Sequence, residues 1–321
     1  MKSNLKTTGL SVLLVAAFAL AGCASASTET APAPTPETGG ASEPAALSLE
    51  GLTGVIGAKD FSEQYILGNM VSILLNENGA NTTYSTIVGS ANVRTALEAD
   101  EFLGYWEYTG TSWLAYNGQD TPVAGVQAQY DAVKELDAAQ GIAWLNGGDV
   151  NNTYAFAIRR DKAAELGVSK MSDLAGLDTS EQTFCIESEF ASRPDGWPGI
   201  QATYGLENVT TVTLDTGAIY QVTADGKECN FGEVFATDGR IAGFDLVIME
   251  DDLDFFPVYQ IAFTLKQTTL DAFPAIADIV NQLTALLTDE IMQGLNAKAD
   301  IDGIDPAKIA EDFLREQGLI S

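Results

Sequence analysis

The sequence predicts an α/β protein whose folded body begins near residue 50. Segments with strand-like and helix-like apolar spacing alternate along the chain, which is the pattern of α/β architecture. The composition of 46% apolar and 19% charged residues is typical of a globular chain rather than a disordered one. A length of 321 residues allows two domains or one large one.

Residues 1–22 are predicted to be an export signal. Lys2 and Lys6 precede an apolar run over residues 9–22, which is too short for a membrane-spanning helix of about 20 residues. The run leads into the tetrapeptide LAGC at residues 20–23, which resembles the lipobox of bacterial lipoproteins. That resemblance implies that Cys23 is lipidated and becomes the mature N-terminus.

Residues 23–50 are predicted to hold the lipidated cysteine and a disordered tether. The stretch 24–46 is rich in Ala, Pro, Thr, Ser and Glu, which bury too little apolar surface to offset the entropy of ordering. A lipid anchor followed by a tether predicts an extracytoplasmic protein held at the cell membrane.

The first half of the body predicts strands and helices in alternation. Val55 and Ile56 indicate a short strand, and Asp60 or Ser62 is expected to cap the helix that follows. The next predicted elements are a strand at 82–88, a helix at 91–99, a strand at 102–106, a helix at 126–140, strands at 142–145 and 154–159, and a helix at 162–166.

The second half contains longer loops. Glycine and proline in residues 187–199 argue against a regular element there, and long ordered loops tend to carry function. Residues 241–249 predict a strand. Helices are expected at 270–286, 289–295 and 306–317.

Charge and composition exclude several functions. Acidic residues outnumber basic ones by 45 to 16, so the net charge of −29 would repel nucleic acid. The chain has no histidine, which removes histidine-based catalysis and imidazole metal ligands. No nucleophile motif is present either, and the acidic run 250–254 is interpreted as a solvated turn. We therefore predict no enzyme, no cofactor and no metal site.

Five sequence blocks carry the functional signal. They are GAKDFSEQYILGN at 57–69, YWEYTGTSW at 105–113, NNTYAFAIRR at 151–160, TDGRI at 237–241 with FFPVY at 255–259, and LTDEIMQGLN at 287–296. In this order they resemble the substrate-binding proteins of glycine betaine/choline ABC transporters, over residues 55–320.

The resemblance implies a two-lobed, type II periplasmic-binding-protein-like fold. Lobe 1 would comprise residues 51–153 and 259–321, and lobe 2 would comprise residues 154–258. Two hinge crossings would join the lobes, which would close on a ligand between them.

The resemblance also assigns an aromatic cage. Tyr108, Tyr154 and Tyr259 match the family's cage tyrosines, and Phe235 stands where a further tyrosine is usual. A quaternary ammonium has no N–H to donate, so the negative faces of aromatic rings recognise it best. A phenylalanine lacks only the hydroxyl and retains that face.

Three polar residues would bind a ligand carboxylate. By the resemblance these are Lys59, Thr111 and Arg193, and a lysine, a hydroxyl and an arginine fork suit that group. We expect the two cations to be uncompensated until a carboxylate arrives, which predicts that glycine betaine binds better than choline. The family usually carries an aspartate at the position of Leu103, so one local hydrogen bond is expected to be missing.

We therefore predict a monomeric lipoprotein that delivers glycine betaine or a related quaternary ammonium solute to an ABC permease. The alternatives are a binding protein specific for choline or carnitine, and a ligand-sensing lipoprotein with the same fold. With Cys23 lipidated, Cys185 and Cys229 are the only thiols left in an exported chain. Both would lie in lobe 2, so we predict a disulfide between them.

Overall fold

The fold is a mixed α/β architecture built on two five-stranded sheets. The computed structural model describes residues 48–321. The predicted signal at 1–22, the predicted lipidation at Cys23 and almost all of the tether lie outside these residues. None of the helices between residues 48 and 321 has the length and apolar content of a membrane span.

The first sheet contains strands from both ends of the described chain. Its strands are β1 (Thr53–Ala58), β2 (Asn81–Thr86), β3 (Gly104–Tyr108), β4 (Ile142–Asn151) and β10 (Gln260–Lys266). Their order is β2-β1-β3-β10-β4. β1 is parallel to β2 and β3, whereas β10 runs antiparallel to β3 and β4.

The second sheet is built from the middle of the chain. Its strands are β5 (Tyr154–Arg159), β6 (Thr183–Ile186), β7 (Thr210–Thr213), β8 (Phe231–Phe235) and β9 (Leu246–Ile248). Their order is β7-β6-β8-β5-β9. β5 is antiparallel to β8 and β9, and β6 is parallel to β7 and β8.

The chain passes between the sheets twice, as the predicted fold class requires. It enters the second sheet at Asn152 and Thr153, which separate β4 from β5. It returns to the first sheet over residues 249–259, between β9 and β10. Residues at these two passages can therefore reach the space between the sheets.

Between residues 48 and 321, twelve α-helical segments cover the sheets and their edges. They are α1 (Ser62–Glu77), α2 (Ser90–Glu98), α3 (Thr109–Thr111), α4 (Val126–Ala138), α5 (Arg160–Leu166), α6 (Trp197–Tyr204), α7 (Thr216–Asp225), α8 (Arg240–Gly243), α9 (Gln267–Ala272), α10 (Ala275–Thr284), α11 (Asp289–Asp300) and α12 (Pro306–Glu316). A π-helical turn, Ser112–Tyr116, continues α3, and a 3₁₀ segment spans Met171–Gly176. The longest helix, α1, turns Ile66, Leu67, Met70 and Val71 into the core, where they are fully buried.

The structure corrects two predicted elements in the second half. The helix expected at 270–286 is two helices, α9 and α10, because Pro274 has no N–H to donate and disfavours helical backbone at Phe273. The strand expected at 241–249 begins as the short helix α8. The chain then turns through Asp245, whose φ is 52°, before β9 starts.

The predicted caps of α1 are also wrong. Phe61 occupies the N-cap position, and neither Asp60 nor Ser62 caps the helix. Instead the Ser62 hydroxyl donates to Asp300 at 2.6 Å, and the Asp60 carboxylate accepts from the backbone N–H of Gly89. Both side chains therefore tie the start of α1 to distant segments rather than to its own first turn.

The predicted disulfide is present in the second sheet. Cys185 lies on β6 and Cys229 lies just before β8, with their Cα atoms 5.7 Å apart. Both cysteines are buried. The bridge joins two chain segments that enter neighbouring strands of the second sheet.

Candidate functional site

A cavity lies between the two sheets and is lined from both. The lining residues are Lys59, Asp60, Phe61, Ser90, Tyr108, Thr111, Asn152, Tyr154, Glu187, Glu189, Thr216, Phe235 and Tyr259. Six of the seven sequence-predicted ligand residues are in this set, and Arg193 is not.

Strand ends bring the predicted aromatic residues together. Tyr108 is the last residue of β3, Tyr154 is the first of β5, and Phe235 is the last of β8. Tyr154 and Phe235 are direct partners in the antiparallel pair β5–β8, and their ring centroids are 5.2 Å apart. Tyr259, at the return passage, meets the ring of Tyr154 edge-on at 5.3 Å.

Phe61 is a cage residue that the sequence analysis missed. It stacks on Phe235 at 5.0 Å and on Tyr108 at 6.2 Å, measured between ring centroids. Its position two residues after Lys59, in the block that resembles the family at 57–69, is the sequence feature that could have identified it. We use the name aromatic cage for Phe61, Tyr108, Tyr154, Phe235 and Tyr259.

Hydrogen bonds fix two of the cage tyrosines. The Tyr108 hydroxyl donates to Glu63 Oε1 at 2.7 Å, and the Tyr259 hydroxyl donates to Asp195 Oδ2 at 2.6 Å. Gly110 lets the Tyr259 ring approach the backbone, since a Cβ at Gly110 would lie 2.7 Å from its ring carbons. These contacts determine where the ring faces point.

Glu63 is a second residue that sequence reasoning missed. Its buried carboxylate accepts hydrogen bonds from Tyr108, Asn152, Thr237 and Asn296. Burial raises the pKa of Glu63, and these four donors oppose the rise. Thr237 follows β8 of the second sheet, so this carboxylate connects segments that belong to different sheets.

Lys59 lines the cavity but is already paired. Its Nζ lies 2.6 Å from Glu107 Oε1, and both side chains are almost fully buried. Glu107 also accepts from the Tyr105 hydroxyl at 2.7 Å. The ammonium of Lys59 lies 4.9 Å from the centroid of the Tyr108 ring.

Arg193 lies behind the lining and is also paired. Its Nε donates to Asp195 at 2.8 Å, its Nη1 donates to Glu189 at 2.9 Å, and its Nη2 donates to Thr111 at 3.4 Å. Its guanidinium carbon is 5.4 Å from the Tyr154 ring centroid. The expectation that Lys59 and Arg193 are uncompensated cations is therefore wrong, because protein carboxylates neutralise both.

The departure at Leu103 does not reach the cavity. Leu103 is not one of the lining residues, and its N–H donates to Val55 O at 2.7 Å between β1 and the start of β3. The residue that replaces the usual aspartate therefore joins two inner strands of the first sheet and does not line the cavity.

The family model for the substrate-binding domain of the ABC-type glycine betaine transport system matches residues 54–316. The chain belongs to this family. The cavity lies between two sheets, and residues from both sheets, including aromatic rings, line it. This arrangement is expected of a two-lobed substrate-binding protein.

Individual relatives agree with this assignment. A glycine-betaine-binding protein of Pseudomonas aeruginosa is 36% identical over 275 residues, which cover 83% of this chain and 88% of that protein. An ergothioneine transport permease/ergothioneine binding protein of Helicobacter pylori is 30% identical over 83% of this chain. The chain spans only 48% of the length of that second relative.

A solved structure supports the same fold. The crystal structure of a glycine betaine/carnitine/choline ABC transporter protein superposes with a TM-score of 0.69 at 26% identity. The match covers 84% of this chain and all of that one. Two lobes with a cleft between them are therefore common to both molecules.

Proposed function

We propose that this protein captures glycine betaine or a related quaternary ammonium solute in the aromatic cage and delivers it to an ABC permease. The observation that carries the proposal is the convergence of five aromatic side chains on one cavity, from strand ends and loops of both sheets. Each ring face attracts a methylated cation by roughly 0.5 to 2 kcal/mol. Membership of the substrate-binding family supports delivery to a permease.

The lobes are proposed to be rigid bodies that close on the ligand. Lobe 1 (51–153 and 259–321) carries the first sheet, and lobe 2 (154–258) carries the second. Contacts across the cleft support this, since the Ser90 N–H donates to Glu189 at 2.9 Å and Thr237 donates to Glu63 at 2.5 Å. A ligand bound between the sheets would hold these contacts together.

The cellular setting is part of the same proposal. An export signal at 1–22, a lipid on Cys23 and the tether that follows would hold a monomeric binding protein beside its permease, outside the cytoplasm. Mass spectrometry of the membrane-extracted protein tests the anchor. Diacylglyceryl-modified Cys23 at the N-terminus is expected, and an unmodified chain cut elsewhere would contradict it.

Calorimetric titration tests the ligand class. The panel is glycine betaine, choline, carnitine and ergothioneine, with proline as a solute that lacks a quaternary nitrogen. Tyr154→Ala should weaken binding of the preferred ligand by about 0.5 to 2 kcal/mol, because one ring face is lost.

Tyr154→Phe is the matched control for that variant. It keeps the ring face and should retain wild-type affinity within about twofold. Proline binding as tightly as every quaternary amine, or equal losses in both Tyr154 variants, would contradict recognition by the cage.

An uptake assay distinguishes a transport protein from a ligand sensor. Deletion of the protein should abolish uptake of the preferred solute at low external concentration if it serves a permease. Unchanged uptake with an altered transcriptional response would favour the sensor.

A further inference from the structure

Part of the cavity lining is acidic. Asp60, Glu187 and Glu189 all line it, and we call them the acidic wall. Asp60 comes from the loop after β1, and the two glutamates come from the loop after β6. Lobe closure therefore brings carboxylates from different sheets to one surface of the cavity.

Glu187 is the one carboxylate of this wall whose side chain is bound, among the described residues, by a hydroxyl alone. Glu189 is paired with Arg193 at 2.9 Å, and Asp60 accepts from the backbone N–H of Gly89. Within residues 48–321 Glu187 forms no ion pair, and its Oε1 accepts from the Thr216 hydroxyl at 2.9 Å. Its carboxylate is thus available to a ligand.

Burial and the neighbouring carboxylates disfavour the negative charge of Glu187. Glu233 lies beside it, buried on β8, and accepts the Glu187 N–H at 2.8 Å. Burial and the charges of Glu189 and Asp60 raise the pKa of Glu187 to about 7, while the Thr216 hydrogen bond and Arg193 act against the rise. Burial and the charge of Glu187 raise the pKa of Glu233 to about 8.

The two protonation states of Glu187 offer opposite hydrogen-bonding surfaces. The carboxylate only accepts, whereas the carboxylic acid can donate one hydrogen bond. Neutral and ionised forms would coexist near pH 7. Glu187 can therefore form a hydrogen bond with either a donor or an acceptor on the part of the ligand that lies outside the aromatic cage.

We propose that Glu187 is a specificity-determining residue that selects the second functional group of the quaternary ammonium ligand. As a carboxylate it accepts a hydrogen bond from a hydroxyl such as that of choline. As a carboxylic acid it donates to a carboxylate such as that of glycine betaine. This inference rests on the proposed function, because it needs a quaternary ammonium in the cage.

The proposal fixes the direction of two pH effects. A choline-like cation stabilises ionised Glu187, so binding releases a proton and affinity rises with pH until Glu187 is ionised in the free protein. A betaine carboxylate stabilises protonated Glu187, so binding takes up a proton and affinity falls as pH rises above that point. The affinity ratio of choline to glycine betaine should change by up to about tenfold per pH unit.

Calorimetry on the full-length protein in detergent tests this. Choline and glycine betaine are titrated at several pH values between about 6 and about 8.5, each in two buffers with different protonation enthalpies, so that proton release and uptake are measured directly. Wild type should release a proton with choline and take one up with glycine betaine. Glu187→Gln should bind each ligand with an affinity independent of pH.

Glu233→Gln identifies which carboxylate carries the effect. The pKa of Glu233 lies above that of Glu187, so Glu233 is mostly protonated while Glu187 ionises, and Glu233→Gln should leave the transition and its amplitude close to those of wild type. A wild-type affinity ratio independent of pH would overturn the proposal. A dependence that persists in Glu187→Gln but disappears in Glu233→Gln would overturn it too. Failure of both ligands to bind wild type at any pH would instead contradict the proposed function, and this inference with it.

Discussion

In Tyr108 and Tyr259 the hydroxyl group and the ring face have different roles. The hydroxyls of Tyr108 and Tyr259 donate to the buried carboxylates Glu63 and Asp195, which orients the rings. The ring faces are then available to a cation. Phe235 has no hydroxyl to anchor and is held instead by Phe61 and Tyr154, whose centroids lie 5.0 and 5.2 Å away. Phenylalanine at this position therefore preserves the cage.

Lys59 is predicted to matter more for stability than for ligand charge. Lys59→Met would leave Glu107, which is fully buried, without its cation. Removal of one partner of a buried ion pair typically costs about 3 to 5 kcal/mol, so the free energy of unfolding in urea should fall by about that amount. Adding Glu107→Gln to Lys59→Met should restore most of the loss, because no unpaired charge remains. Equal stability of wild type and Lys59→Met would show that the pair contributes nothing.

At the scale of elements, periodicity predicted about half of the strands and most of the long helices, but it missed the seven-residue strand β10 and the ten-residue helix α7. Residues 154–159 were predicted as a strand, and β5 has those bounds. The strands β6, β7 and β8 were missed, because each has only four or five residues and two of them contain glycine or cysteine rather than clear alternation. Their pairing depends on long-range register, which local spacing does not reveal.

The same limit applies to the candidate site. Sequence blocks predicted the cage tyrosines one by one, and they predicted Lys59 and Arg193 as cations near a ligand. They did not reveal that Glu107 lies opposite Lys59, or that Phe61 closes the cage, because both facts depend on how β1 and α1 pack against β3 and β8.

The disulfide stabilises the second sheet by joining β6 to the segment just before β8. It closes a sequence separation of 44 residues between β6 and the start of β8. In the chain-entropy model a loop of this length stabilises the folded state by about 4 kcal/mol. Replacing both Cys185 and Cys229 by alanine should lower the free energy of unfolding by up to that amount. Wild type unfolded under reducing conditions should match the double variant, and two alkylatable thiols in the native, non-reduced protein would contradict the bridge.

At the scale of the whole molecule, the two passages of the chain define a hinge. The first passage, Asn152 and Thr153, is only two residues long, and the second spans residues 249–259, so rotation of one sheet against the other is confined to these two segments. Glu63 and Glu189 accept hydrogen bonds across the cleft, and these bonds would break when it opens.

Small-angle scattering tests closure of that hinge. The radius of gyration should decrease when a saturating quaternary ammonium ligand is added, because the lobes approach each other. Proline at the same concentration is the control and should leave it unchanged. An unchanged radius with binding saturated would mean that the lobes do not move.

The central claim is that the aromatic cage recognises a methylated cation by its charge and not only by its shape. Comparing each ligand with its tert-butyl analogue, in which carbon replaces the ammonium nitrogen, tests this most directly. Shape and apolar surface are nearly the same in the two compounds, and only the charge facing the rings differs. Several ring faces at roughly 0.5 to 2 kcal/mol each predict that calorimetry finds the ammonium compound at least about tenfold tighter. Equal affinities of the ammonium compound and its carbon analogue would contradict the account.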